Sequence, residues 1–182
     1  MDRYIKPNVI NDLEKKMVFV GGPRQVGKTT FAKNLLSEKG ALNLPSMQRY
    51  FSWDDDSDRE ILLRGELPFE PGPVVFDEIH KYKRWRQLVK ALFDKRGDEI
   101  KILVTGSARL DFYRRGGDSL QGRYHYYRLH PLSLHELKTN TYSDLKNLLT
   151  YGGFPEPFFA QSETETRRWS REYRTRIIRD DL

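Results

Sequence analysis

The feature that most constrains this chain is the run Gly21-Gly22-Pro23-Arg24-Gln25-Val26-Gly27-Lys28-Thr29-Thr30, which follows the apolar Met17-Val18-Phe19-Val20 and precedes the helix-like Phe31-Ala32-Lys33-Asn34-Leu35-Leu36. Gly22, Gly27, Lys28 and Thr29 satisfy G-x-x-x-x-G-K-[ST] in the strand-before, helix-after setting that this spacing requires. Glycines let backbone N–H groups turn inward on a phosphate with no Cβ in the way, and the following helix directs its positive end at the same point. Lys28 would reach the β and γ phosphates of ATP or ADP, and the Thr29 hydroxyl would ligate Mg²⁺. Pro23, Arg24, Gln25, Val26 and Thr30 complete the expected nucleotide-binding segment. A glycine turn that merely caps a helix is the plainer explanation, and the strand-loop-helix context argues against it.

A second anchor is Val74-Val75-Phe76-Asp77-Glu78, an apolar strand ending in two carboxylates. Such a strand delivers Asp77 to the metal, where it can hold a water of the Mg²⁺ shell, and leaves Glu78 to orient and polarise an attacking water. Alone the pattern is common; together with the glycine loop it is specific. Ile100 to Gly106 reads as a further strand, and Thr105 and Ser107 at its end are positioned to sense the γ-phosphate, or simply to make a turn. Arg123, just before the aromatic Tyr124 to Leu129, is the candidate for stabilising transition-state charge, in its own site or a neighbour's. Arg109 and Arg115 are its rivals, and an ordinary surface arginine is the plainer alternative.

The 182 residues suffice for one ordinary domain with a small appendage. A net charge of +6 permits attraction to nucleic acid without establishing it. Zero cysteines exclude disulfides, thiolate metal sites and cysteine nucleophiles. No long apolar run or secretory leader is present, so the expectation is a cytoplasmic protein without a membrane partner.

Along the chain, residues 1–16 show helical spacing broken by Pro7, in a segment expected near the nucleotide base. The helix after the glycine loop should reach about Glu38, with Gly40 as its stop. Residues 49–53 read as a short strand, and Asp54-Asp55-Asp56 as a turn or helix cap rather than a metal site. A short helix ends before Gly65, and Pro68 to Pro73 reads as a loop. Trp85, Leu88, Val89, Leu92 and Phe93 give a core-facing helix ended by Gly97. Tyr113 to Asp118 is an exposed glycine-rich link. Histidines 80, 125, 130 and 135 lack ligand spacing. Residues 132–137 and 145–149 suggest short helices, 151–157 a turn-rich joint, and the last stretch a helix with Trp169, Tyr173 and Ile177 on one face.

These motifs, with Thr105-Gly106-Ser107, Leu120-Gln121-Gly122-Arg123, Pro131-Leu132-Ser133 and Gly152-Gly153-Phe154-Pro155-Glu156, resemble the AAA-type P-loop ATPases of a bacterial and archaeal family that carries a C-terminal domain of unknown function. The resemblance implies an α/β fold of P-loop NTPase type: a parallel five-stranded sheet flanked by helices, the loop strand central and the sensor strand between it and the Asp77 strand. It implies an ATPase core over residues 1–138 and a helical extension over 139–182, the start of a further domain. It assigns hydrolysis to Lys28, Thr29, Asp77 and Glu78, sensing to Ser107 and the arginine finger to Arg123. Three readings follow: an ATPase coupled to a partner, a nucleotide switch with little turnover, and a helicase-like fragment, since Asp77-Glu78-Ile79-His80 spells D-E-x-H. A second copy of the chain, a protein docking on the C-terminal helix, and nucleic acid stand as partners.

Overall fold

The computed structural model describes residues 1–37, 49–67, 71–107, 110, 120–137 and 141–180. The expected helix end at Glu38 and Gly40, part of the 68–73 loop, the link 113–118, and both Arg109 and Arg115 lie outside the described residues. The described chain divides into two compact units, Ile5–Leu129 and Met1–Tyr4 with His130–Leu182.

The first unit is built on five strands: β1 (Met17–Gly21), β2 (Tyr50–Ser52), β3 (Gly72–Asp77), β4 (Ile100–Gly106) and β5 (Tyr124–Arg128). All pairings are parallel, in the order β2-β3-β4-β1-β5. Strands covered on both faces must be apolar throughout, and every residue of β1 and β3 is buried. β4 does separate β1 from β3; the middle strand, however, is β4, with β1 between β4 and β5. Pro73, expected in a loop, lies inside β3 opposite Lys101.

Side-chain alternation distributes the core. Met17, Phe19, Val74, Phe76, Ile102 and Val104 share one cluster with Leu62 of α3 (Asp56–Arg64) and with Trp85 and Val89 of α4 (Trp85–Arg96). The residues between them on the strands point to the opposite face. Buried outside that cluster are Val9 and Leu13 of α1 (Lys6–Leu13) and Phe31, Ala32 and Leu35 of α2 (Lys28–Ser37). Pro7 does not break α1; it sits in the first turn, where its missing N–H has no intrahelical partner to lose. The aspartate run caps α3: the Asp55 carboxylate accepts from the Asp58 N–H at 3.1 Å, and Gly65 closes the helix with φ 71°.

The second unit contains a 3₁₀ turn (Leu134–Leu137), α5 (Tyr142–Tyr151), α6 (Pro155–Ala160) and α7 (Glu163–Asp180). α5 opens with a reciprocal capping box between Thr141 and Asp144. The expected joint at 151–157 is shorter, because Pro155 already begins α6. Trp169 and Tyr173 of α7 stack at 4.7 Å, and Phe154 lies 4.9 Å from each. Glu136 of this unit is buried: it accepts from Arg3 Nε at 2.7 Å, from the Tyr4 N–H at 3.1 Å and from the Ser133 N–H at 2.9 Å. Among the described residues no helix is long and apolar enough to cross a membrane.

Candidate nucleotide site

The glycine loop leaves β1 at its carboxyl end, beside the carboxyl ends of β3 and β4. Its shape is enforced by contacts that exclude side chains. A Cβ on Gly22 would lie 2.4 Å from the Leu129 carbonyl oxygen, and the Leu129 N–H donates to the Gly21 carbonyl at 2.8 Å. Gly27 has φ 95°, a conformation open to glycine and costly to other residues. Gln25 also lies in the left-handed region, at φ 60°. Val26 is wholly buried and pins the loop from beneath, while Pro23 and Arg24 are half-buried.

Lys28, the first residue of α2, is buried, and its ammonium donates to the carbonyls of Pro23 at 2.7 Å and Gly22 at 3.1 Å. The loop therefore encloses a cation at the amino end of a helix whose first N–H groups have no intrahelical acceptors. Thr29 and Thr30 are exposed beside it. The Thr29 hydroxyl donates to Asp77 Oδ2 at 2.8 Å, joining the loop to the end of β3.

Asp77 is buried and accepts two further hydroxyls, from Tyr50 of β2 and Thr105 of β4. Burial and then the Asp77 carboxylate push the Tyr50 phenol far above its ordinary value, so it stays a donor. The next residue, Glu78, has φ 56°, a left-handed conformation worth about 1–2 kcal/mol of strain in a residue with a Cβ. Its N–H donates to the Thr105 carbonyl at 2.9 Å, which ties the turn to β4. Burial raises the Glu78 carboxyl above its usual range, with the Lys81 ammonium opposing. One carboxylate oxygen lies 3.6 Å from Lys81 Nζ and 3.7 Å from His80 Nε2. Lys81 also grips Asp54 at 2.6 Å.

Ser107 lies at the same end of the sheet, its hydroxyl 3.2 Å from His80 Nε2. A Cβ on Gly106 would meet His80 Nδ1 at 2.5 Å, so that glycine makes room for the imidazole. His80, the last residue of the D-E-x-H run, is thus a packed member of the site, connecting Ser107 and Glu78. Tyr50 is a residue that sequence reasoning missed, because a short edge strand gives no hint that its tyrosine reaches Asp77.

Arg123 is not brought to this site. It precedes β5, and Tyr124 pairs with Met17 at the amino end of β1, whereas Arg128 pairs with Gly21 beside the loop. One strand length, about 13 Å over four residues, separates the two ends. The Arg123 guanidinium instead bonds Asp94 of α4 at 2.8 Å. The strand register thus holds Arg123 away from the glycine loop of its own chain.

The donor set suits a nucleotide with a divalent cation. The glycine loop has no room for a Cβ at Gly22 against Leu129, a buried cation sits within the loop, and an exposed hydroxyl is paired to a buried carboxylate. Among the described residues no cluster of three or more histidines or acids could hold a metal by protein ligands alone.

A parallel sheet with a glycine loop and a buried carboxylate at its carboxyl edge defines the P-loop class of fold. The chain belongs to the AAA domain family, whose model matches residues 14–138. Two curated relatives are the uncharacterized proteins Mb2031c of Mycobacterium bovis and Rv2008c of Mycobacterium tuberculosis, each 27% identical over 168 residues. These cover 91% of this chain but 36% of each relative, so the chain spans about a third of their length. Among solved structures, the S. cerevisiae Hsp104–ADP complex is similar over 100% of this chain and 33% of its own, with a TM-score of 0.51 and 12% identity. Bacteroides Pif1 bound to ssDNA matches over 85% of this chain and 47% of its own at 0.40 and 15%.

Proposed function

We propose that this chain binds ATP and hydrolyses its γ-phosphoryl bond with Mg²⁺, coupling nucleotide state to a partner. The observation that carries this reading is the Thr29–Asp77 hydrogen bond at the foot of the glycine loop, with Glu78 next along the chain. Lys28 exchanges its loop carbonyls for phosphate oxygens and neutralises their charge, and the loop N–H groups and the amino end of α2 do the same through fixed dipoles. Thr29 and Asp77 would hold Mg²⁺, the aspartate through water; the ion supplies charge neutralisation of the β and γ phosphates. Tyr50 and Thr105 keep the Asp77 carboxylate oriented. Glu78, as carboxylate, orients the water and accepts its proton. Ser107, positioned by His80, contacts the γ-phosphate end, and Arg123 acts only in a neighbouring chain's site. Family membership and the ADP complex of Hsp104 support nucleotide as the ligand. A cytoplasmic setting suits it.

A nucleotide switch with little turnover is the second reading, favoured by the engagement of Glu78 with Lys81 and His80 and by the remoteness of Arg123. Equilibrium titration with ATP in Mg²⁺, alongside phosphate release, separates them. Lys28→Ala should lose ATP binding by at least about tenfold, because a charge-assisted phosphate contact is removed. Undiminished binding and hydrolysis in Lys28→Ala would remove the loop from the account altogether.

A further inference from the structure

Between β3 and the first turn of α4, a cavity of about 380 Å³ is lined by His80, Tyr82, Lys83, Arg84, Trp85 and Arg86. Its lining side chains include no acid, and Lys81 beside it is paired with Asp54 and Glu78. From Ile79 to Phe93 the sequence carries Lys81, Lys83, Arg84, Arg86 and Lys90 and no acid. Lys83 and Arg84 are exposed, and the Arg86 guanidinium lies over the Trp85 ring at 5.9 Å. Tyr82 is half-exposed, and its ring stacks on Trp53, from the end of β2, at 4.7 Å and 23°. Trp53 and Tyr82 are far apart in sequence, so this aromatic pair exists only in the fold.

A concave surface of one sign focuses its field on a polyanion. Cations that track a phosphate chain, beside a flat ring that accepts a base, are the elements that hold single strands. An acidic peptide would satisfy the cations and leave Tyr82 without a use. We infer that this cleft binds single-stranded nucleic acid, with Lys83, Arg84 and Arg86 on the phosphates and Tyr82, backed by Trp53, beneath a base. The inference rests on the ATPase reading only for what the binding serves. His80 lines the cleft and reaches within 3.7 Å of Glu78, so a bound strand lies one side chain from the hydrolytic carboxylate. Strand binding itself requires no hydrolysis.

The test is fluorescence anisotropy of a labelled oligothymidylate titrated with the chain across a series of salt concentrations. The native chain binds, with affinity falling as salt rises. Joint Lys83→Glu and Arg84→Glu weakens binding by at least about tenfold and flattens the log–log salt slope by about 0.7 per lost contact. Tyr82→Ala weakens it by about tenfold with little change in slope. Joint Arg171→Glu and Arg174→Glu, exposed cations on α7, leaves it near native. Lys28→Ala keeps strand binding, so failure of the ATPase reading stays distinct from failure of this one. The inference is overturned by absence of binding at low salt, by equal loss from both charge reversals, by native binding in Tyr82→Ala, or by tighter binding of polyglutamate than of an oligonucleotide of equal charge.

Discussion

Asp77 and Glu78 are neighbours in sequence with opposite environments, and that contrast decides their chemistry. Asp77 is buried and receives hydroxyls from three elements. Glu78 is half-buried beside one ammonium, and desolvation wins: its carboxyl is pushed up from the ordinary 4.5. A base that works as carboxylate then fails at higher pH than a free glutamate would. The acid limb of kcat against pH should therefore have its midpoint above 4.5. Lys81→Ala removes the cation that opposes the shift and should move that midpoint higher still. A midpoint unmoved or lowered in Lys81→Ala would show that Glu78 does not set the limb.

At the scale of elements, the site is a consequence of strand order. β4 lies between β1 and β3, so the loop, Asp77 and Ser107 emerge at one edge, and β5 beside β1 supplies the Leu129 backbone that shapes Gly22. Gly22→Ala places a methyl 2.4 Å from a carbonyl oxygen that is itself fixed by the sheet. This should cost about 1–3 kcal/mol, read as a lower urea midpoint at unchanged slope, together with weaker ATP binding. The loop, β1, β3, β4 and α4 were legible because buried parallel strands are continuous apolar runs and a half-buried helix repeats every three to four residues. Tyr50 on Asp77, His80 on Ser107, and the Trp53–Tyr82 stack were not, because each joins segments with no local pattern in common. Arg123 was assigned by its nearness to a strand. In a parallel sheet the residue before a strand lies at the amino edge, away from ligands bound at the carboxyl edge.

At the scale of the whole molecule, the described chain divides into two units, and the second contains a buried ion pair between Arg3 and Glu136. Burial alone would raise the Glu136 carboxyl, but the Arg3 guanidinium and the Ser133 and Tyr4 N–H groups outweigh it and hold it below its usual value. A depressed carboxyl stabilises the fold fully above the unfolded value near 4.5 and loses that contribution as pH falls toward the folded one. Glu136→Ala strands the Arg3 charge and should cost about 3–5 kcal/mol at neutral pH. In urea unfolding the gap from native should narrow as pH drops below 4.5; a constant gap would exclude the ion pair as its cause. For the first unit the decisive measurement is phosphate release from ATP with Mg²⁺, made for the native chain and Glu78→Gln in parallel. The native chain should release phosphate, and Glu78→Gln should lose about a hundredfold or more of that rate with ATP binding retained. Equal rates in the two chains would contradict hydrolysis through Glu78.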